Sequence, residues 1–271
     1  MSTRLSARKN SRNGWRWLNV LALIAMLVVN YLSNALPLGG RTTEEISDAY
    51  PVLVTPAGYV FPVIWGLIYL LLIAFVIYQA LPANQNRESV RKTDGLFVLS
   101  CLLNILWLFL WHYDYIYLSV LVIIGLLLTL IALYVRVRSV PGTPTLGEKL
   151  WVRLPFSLYL AWVSVATIVN ISIALYRAEW DGFGIADSTW AVIVLTLGAL
   201  IALAVSFKYR DPAFVAVFVW AYIGIAVKQQ DHKTVFVAAL VLAVLLFLYM
   251  LTLLPFGRRT ITIGGGRERA K

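Results

Sequence analysis

Three predicted helices each carry aromatic and amide side chains along one face. Spacings of three, four, seven and eleven residues place each set on one side of its helix. The sets are Phe61, Trp65 and Tyr69; Asn104, Trp107 and Trp111; and Tyr159, Trp162, Ala166 and Asn170. Flat aromatic walls with a few amides suit the binding of a flat apolar ligand. The small Ala166 leaves room for the close approach of a helix or of that ligand.

Side chains that could perform catalysis or bind a metal are scarce. Cys101 is the only cysteine, which argues against a disulfide framework and against a cysteine-based metal site. His112 and His232 lie on different predicted segments, and neither has a second ligand at metal-binding spacing. The chain also lacks a P-loop and a dinucleotide fingerprint. The sequence therefore predicts no catalytic residue and no metal site.

The elements that position these residues must be membrane helices. The chain has 271 residues, of which 61% are hydrophobic and only 13% charged, with a mean hydropathy of +0.80. Soluble proteins average about 45–50% apolar and about 25% charged residues. About 20 apolar residues span a bilayer as a helix, and we identify eight such runs. They cover roughly 15–37, 60–81, 95–113, 115–137, 151–176, 188–207, 212–228 and 234–254. The predicted fold is an all-α integral membrane protein.

Charge distribution predicts the orientation of these helices. All 13 acidic residues fall outside the predicted spans or at their ends. Of the 23 Lys and Arg residues, 19 lie on the side of the N-terminus and 4 on the other side. This asymmetry is the positive-inside pattern and predicts cytoplasmic N- and C-termini, in a bacterial plasma membrane. The net charge of +10 is thereby explained by topology and anionic lipid, without a nucleic acid partner.

The N-terminal segment allows a second interpretation, which is a cleavable signal peptide. A basic start, an apolar stretch and a small-x-small motif at 33–35 resemble such a signal. Asn19, Asn30 and Asn34, however, fall within about 40° of one another on a helix. A retained helix could use this polar face inside a bundle, which favours retention.

Three sequence blocks carry a family resemblance. They are PAGYVFPVIWGLIY at 56–69, LNILW at 103–107 and YLAWVSVATIVN at 159–170. They resemble the signature blocks of the tryptophan-rich sensory protein family, also called the translocator protein (TspO/MBR) or peripheral-type benzodiazepine receptor family. The resemblance covers about residues 15–177 and implies a five-helix membrane bundle. It also implies a pocket between the helices, closed by the loop between the first two, for porphyrins, sterols or benzodiazepine-type compounds.

The resemblance also implies roles for particular residues. Trp65, Asn104, Trp162 and Ala166 match positions that line the family's pocket. Pro56 and Pro62 would shape the path from the closing loop into the second helix.

The chain departs from the family pattern at several positions. Ala57 stands where the family usually has a second proline, Tyr59 where it has a tryptophan, and Leu158 where it has another proline. The first loop, Leu38–Thr55, contains no tryptophan. The family's tryptophan in that loop is tied to light-dependent porphyrin breakdown, so we do not assign that reaction to this chain.

The sequence predicts four regions. They are a basic arm at 1–14, the five-helix domain at 15–177, three additional helices at 178–254 and a basic tail at 255–271. The last three helices could form a dimer surface, bind lipid or extend the bundle, and the sequence leaves these alternatives open.

The sequence favours a membrane sensor or regulator that binds a tetrapyrrole, such as a porphyrin or haem-like molecule, or a sterol-like molecule. Charged residues in mid-span, which ion-coupled pumps usually need, are missing from the predicted spans. A transporter of such a molecule and an assembly subunit of a larger membrane complex remain alternatives. The expected partners are the lipid bilayer, the small apolar ligand and, as an open alternative, a second copy of the chain. The predicted ligand-binding residues are Pro56, Phe61, Trp65, Tyr69, Asn104, Trp107, Trp162, Ala166 and Asn170.

Overall fold

A computed structural model describes residues 2–36 and 38–254, with side chains from residue 14 onward. These residues form helices and no strands. The predicted basic tail at 255–271 lies outside the described residues, as do the side chains of the basic arm up to residue 13. The eight long helices are α1 (Ser2–Ala35), α2 (Val60–Ala80), α3 (Leu96–His112), α4 (Ile116–Arg138), α5 (Leu154–Arg177), α6 (Asp187–Tyr209), α7 (Pro212–Lys228) and α8 (Lys233–Leu253). Each corresponds to one of the eight predicted apolar runs.

Six of the eight helices are long and apolar enough to cross a membrane by themselves. In α1 the apolar span is Gly14–Ala35, and in α5 it includes the helical turns before it, over Leu146–Arg177. The helices α3 and α7 are shorter, with 17 residues each. The described chain is therefore a multi-pass membrane protein with at least six candidate spans.

The first five helices form a closed ring. Around the ring, α2 contacts α1, α1 contacts α3, α3 contacts α4, α4 contacts α5, and α5 returns to α2. The most heavily buried member is α5, whose largest fully buried side chains are Tyr159, Trp162 and Phe156. Small residues such as Ala161 and Ser157, both fully buried, let neighbouring helices approach α5 closely. The polar-aromatic faces predicted on α2, α3 and α5 can therefore meet inside one ring.

The last three helices extend this ring through α7. It packs against α5, α6 and α8, and it also touches α2. Glycines permit these close approaches: a Cβ on Gly198 would lie 2.5 Å from the Tyr222 hydroxyl, and one on Gly224 would clash with Val60. The Tyr222 hydroxyl donates a hydrogen bond of 2.5 Å to the Leu195 carbonyl, which fixes α7 to α6.

The connections gather at two ends of the bundle. The loop between α1 and α2 meets the α3–α4 turn and the end of α5, since Tyr50 contacts both Asp114 and Tyr176. We call this the loop end. At the opposite end, Ser89 donates a 2.6 Å hydrogen bond to Glu148, and this end carries most of the basic residues that flank the described helices. We call it the basic end.

A buried aspartate joins the ring to the last three helices at the basic end. Asp211 caps α7 and is only 4% exposed. One of its carboxylate oxygens accepts hydrogen bonds from the hydroxyls of Tyr134 (2.8 Å) and Ser157 (2.5 Å). The same oxygen pairs with the Arg138 guanidinium, which also lies 4.4 Å from the Tyr134 ring. One carboxylate therefore connects α4, α5 and α7.

We expect Asp211→Asn to destabilise the fold, because it leaves the largely buried Arg138 without its counter-ion. Loss of one partner of a buried pair costs about 3–5 kcal/mol. A thiol-reactive fluorophore can follow unfolding, because the single cysteine, Cys101, is fully buried in α3. The control is Glu88→Gln, which removes a solvent-exposed ion pair with Lys92 at the same end. Equal melting temperatures for the two variants would contradict this role for Asp211.

Candidate ligand-binding site

A short helix in the α1–α2 loop covers the inside of the ring at the loop end. We call Thr43–Asp48 the loop helix; it begins with a capping box in which Thr42 and Glu45 exchange hydrogen bonds. Its carbonyl at Thr43 accepts a 3.3 Å hydrogen bond from the Trp111 indole of α3. The segment just before the loop helix packs closely on the end of α3, and this contact requires a glycine. Gly39 has a positive φ of 68°, and a Cβ there would clash with the His112 carbonyl. The loop therefore folds back over the bundle.

Beneath the loop helix lies a small cavity between α2, α3 and α5. It measures about 20 Å³, little more than the space of one water molecule. Its walls are almost entirely aromatic or aliphatic. They are formed by Thr43, Ser47, Phe61, Trp65, Trp107, Trp111, Trp162, Ala166, Val169 and Asn170.

Aromatic rings fill the space around the cavity. On α2, Trp65 stacks on Tyr69 with ring centroids 5.4 Å apart. On α3, Trp107 stacks on Trp111 at 5.6 Å. Trp162 of α5 stands at nearly a right angle to the Phe61 and Trp65 rings, at 5.6 and 6.4 Å. Three helices thus provide two stacked pairs and one central indole.

Two buried polar groups on the cavity wall make no hydrogen bond. They are the indole nitrogen of Trp162 and the hydroxyl of Ser47 on the loop helix. A buried donor without a partner costs about 1–3 kcal/mol. These two are among twelve such buried atoms in the described part of the chain, and they are the two whose residues line this cavity. A bound molecule with a hydrogen-bond acceptor would satisfy the indole.

The Asn170 amide joins three helices beside the cavity. Its Oδ1 accepts a 3.0 Å hydrogen bond from the Trp107 indole, and its Nδ2 donates to the Ser119 hydroxyl at 3.0 Å. This network holds α3, α4 and α5 together. It also fixes the ring plane of Trp107, which is a wall of the cavity.

A second amide network includes the polar face of α1, and we call it the deeper amide network. Asn30 donates a 2.9 Å hydrogen bond to Asn104, and its own Oδ1 accepts one of 2.5 Å from the Tyr69 hydroxyl. Asn19 donates likewise to Gln79 of α2 at 2.9 Å. The predicted polar face of α1 is therefore used inside the bundle by two of its three asparagines, whereas Asn34 is exposed and bonds only within α1.

The predicted site residues fall into three places. Six of the nine line the cavity: Phe61, Trp65, Trp107, Trp162, Ala166 and Asn170. Tyr69 and Asn104 belong to the deeper amide network. Pro56 is buried against Gly224 of α7, where its neighbour Ala57 donates a 3.1 Å hydrogen bond to the Gly224 carbonyl.

Four cavity residues were not among the predicted ones. Trp111 and Val169 lie next to predicted positions on the same helices, and the i, i+4 relation of Trp107 and Trp111 already placed both on one face. Thr43 and Ser47 carry no sequence signal for this role, because they reach the cavity only through the fold of the loop.

Few polar contacts hold the loop helix in place. Asp48 forms an ion pair with Lys228 of α7, and Tyr50 donates a 3.0 Å hydrogen bond to Asp114. Partial burial, reinforced by the nearby charge of Asp48, raises the pKa of Glu44. Burial and the hydrogen bond to Asp114 raise the pKa of the Tyr50 hydroxyl. These contacts are partly exposed, so each stabilises the closed loop only weakly.

Comparison with known proteins gives one family match. A family model described as TSPO-like protein matches residues 16–252. The matched range extends beyond residue 177, where the sequence resemblance ends, and includes α6, α7 and α8. No curated protein and no solved structure matches the chain.

The deeper amide network predicts a stability effect. Asn30→Leu removes the partner of both Asn104 and Tyr69, so we expect it to lower stability by about 1–2 kcal/mol. Asn34→Leu is the matched control, because Asn34 is exposed and contacts only its own helix. Thermal unfolding followed by labelling of Cys101 measures both variants. An equal loss in both would show that the interhelical bonds contribute nothing.

The ion pair on the loop helix predicts faster opening when it is removed. Ser47→Cys in a Cys101→Ser background places one buried thiol under the loop, and its labelling rate reports loop opening. Adding Asp48→Asn should speed labelling about two- to fivefold, because an exposed ion pair stabilises by up to about 1 kcal/mol. Asp231→Asn, on the α7–α8 connection, is the control for lost charge. An unchanged rate in the Asp48→Asn variant would show that Lys228 does not hold the loop.

Proposed function

The chain belongs to the TSPO-like protein family, and on that premise we propose that it is a membrane-embedded sensor or regulator that binds a flat apolar ligand. The proposed ligand is a tetrapyrrole, such as a porphyrin or haem-like molecule, or a sterol-like molecule. Family membership by itself indicates a membrane protein that binds or transports a ligand. The observation that carries the finer proposal is the unpartnered Trp162 indole, buried on the wall of an aromatic cavity.

The shape of the cavity walls supports a flat ligand. The stacked pairs on α2 and α3 present flat ring faces, and an apolar ring system can stack on such surfaces. In lipid, an apolar ligand gains little from leaving one apolar phase for another. Selection must then come from shape, stacking and the few hydrogen-bond donors. The free donors at the cavity wall are the Trp162 indole and the Ser47 hydroxyl.

The cavity must enlarge before such a ligand can bind. Ligand pockets usually measure about 300–1,000 Å³, whereas this cavity holds about 20 Å³. The loop helix is the element whose movement would open the cavity, because it covers the cavity with Thr43 and Ser47. Its polar contacts are few and partly exposed, and its movement must also expose the buried Ile46. The described conformation is then the closed state of the site.

The absence of charged residues in mid-span supports a sensor over an ion-coupled transporter. The two functions differ in the step after binding. A sensor binds the ligand saturably and moves none of it, whereas a transporter carries it into sealed vesicles.

We propose further that all eight helices cross the membrane, with both termini in the cytoplasm. The two short helices α3 and α7 each measure about 26 Å at 1.5 Å per residue, close to the hydrocarbon thickness of about 30 Å. Eight crossings also keep 19 of the 23 Lys and Arg residues on one side. The basic end then faces the cytoplasm of a bacterial plasma membrane. In this arrangement 15–177 is the ligand-binding domain and 178–254 a three-helix attachment to it.

Titration with protoporphyrin, read as quenching of tryptophan fluorescence, tests the proposed site. Trp65→Ala and Trp162→Ala should each weaken binding by about 1–3 kcal/mol, because each removes an aromatic ring that would stack on the ligand. Trp220→Ala on α7 is the control, because Trp220 packs on Tyr59 outside the cavity. Asn104→Leu should leave affinity nearly unchanged, because Asn104 bonds to Asn30 instead of lining the cavity. Weakening by Trp220→Ala alone would contradict the proposed site and move it towards the last three helices.

A further inference from the structure

A second and larger cavity lies at the loop end, between the ring and the last three helices. It measures about 200 Å³. Its walls come from the α1–α2 loop, the end of α5, the α5–α6 connection and the start of α6. The lining residues are Pro51, Val52, Leu53, Val54, Ser172, Leu175, Tyr176, Trp180, Gly182, Asp187, Trp190, Ala191 and Val194. None of them lines the cavity beneath the loop helix, so the two sites are separate.

The aromatic residues of this second cavity are fixed in position. The rings of Trp180 and Trp190 lie 5.1 Å apart at an angle of 54°, forming a corner. The Trp190 indole donates a 2.8 Å hydrogen bond to the Gly182 carbonyl. Gly182 has a positive φ of 62°, and a Cβ there would approach the Trp190 ring to 3.0 Å. The corner therefore depends on this glycine and is formed before any ligand binds.

An unpaired carboxylate stands on the wall of the same cavity. Asp187 opens α6 and, among the described residues, forms no ion pair. At the same end of the bundle, Arg177 pairs with Asp114 and Lys228 with Asp48. The cavity thus combines a free negative charge with indole faces and aliphatic walls.

From this combination we infer that the loop-end cavity binds a compact organic cation, either a quaternary ammonium or a protonated amine with an apolar body. Aromatic faces attract such cations through the ring quadrupole, with Trp the strongest, and a carboxylate adds charge complementarity. A cavity of about 150 Å³ holds a benzene molecule, so 200 Å³ admits a group of choline size. This site is additional to the proposed tetrapyrrole or sterol site.

The cation has two sources with the same chemistry. It can be the headgroup of a choline lipid at the membrane surface, or a free small molecule. Nanodiscs of phosphatidylglycerol contain no choline, so binding of added choline to the full chain there tests the site itself. In nanodiscs of phosphatidylcholine, loss of that binding would assign the lipid headgroup, and its persistence would assign the free cation.

Saturation-transfer NMR on the N-methyl protons of choline measures this binding. The neutral isostere 3,3-dimethylbutan-1-ol has the same shape without the charge, so it should bind the wild-type chain at least about fivefold more weakly, which corresponds to about 1 kcal/mol. This comparison needs no variant and is therefore independent of any folding defect.

Variants then locate the site. Asp187→Asn and Trp180→Leu should each weaken choline binding about fivefold or more, and Trp180→Phe should restore part of the affinity. The controls are Asp231→Asn and Trp151→Leu; Trp151 is 39% exposed and Trp180 36%, but Trp151 lies at the basic end. Three results would overturn the inference: equal binding of the neutral isostere, unchanged binding in Asp187→Asn, or an equal loss in the two controls.

Discussion

Buried polar side chains in this membrane bundle must find partners, because lipid offers none and apolar packing between helices brings little net gain. The structure meets this requirement with three sets of contacts. Asn30 joins α1, α2 and α3, Asn170 joins α3, α4 and α5, and Asp211 joins α4 and α5 to α7. Together these sets link the five helices of the ring and attach the last three helices to it, and aromatic packing of Trp65 on Tyr159 and Trp162 joins α2 to α5.

The candidate site depends on the same constraint. The amide networks orient Trp107 and Tyr69, and their stacked neighbours Trp111 and Trp65 then form the cavity walls. Among the described residues, twelve buried side-chain atoms still lack a hydrogen-bond partner. Two of them, the Trp162 indole nitrogen and the Ser47 hydroxyl, lie on the cavity wall, where a ligand could supply the partner. The loop helix that carries Ser47 is held by partly exposed polar contacts and by its fully buried Ile46, so opening of the site must expose that side chain.

The helices and their faces could be predicted from the sequence because both depend on local rules. Apolar length indicated the eight runs, and helical periodicity placed Trp65, Trp107 and Trp162 on faces that do meet at one cavity. The alignment of Asn19 and Asn30 likewise predicted an internal polar face, which the interhelical bonds confirm.

Contacts between distant segments could not be predicted in this way. Asp211 resembles an ordinary loop residue before a proline, yet it is buried against α4 and α5. Pro56, one of the predicted ligand-binding residues, packs on Gly224 of α7, a contact that local sequence rules do not indicate. The loop-end cavity was missed for the same reason, since its walls come from four segments that meet only in the folded chain.

We expect a ligand to reach the aromatic cavity only when the loop helix moves away from α7. A Cys101→Ser chain with Asp48→Cys and Lys228→Cys can be joined by a short bifunctional thiol reagent in place of the native ion pair. Protoporphyrin titration of the linked and unlinked forms measures the consequence. We expect the linked form to lose tryptophan quenching and the unlinked form to retain it. Equal binding by both forms would show that the ligand reaches the cavity without movement of the loop helix.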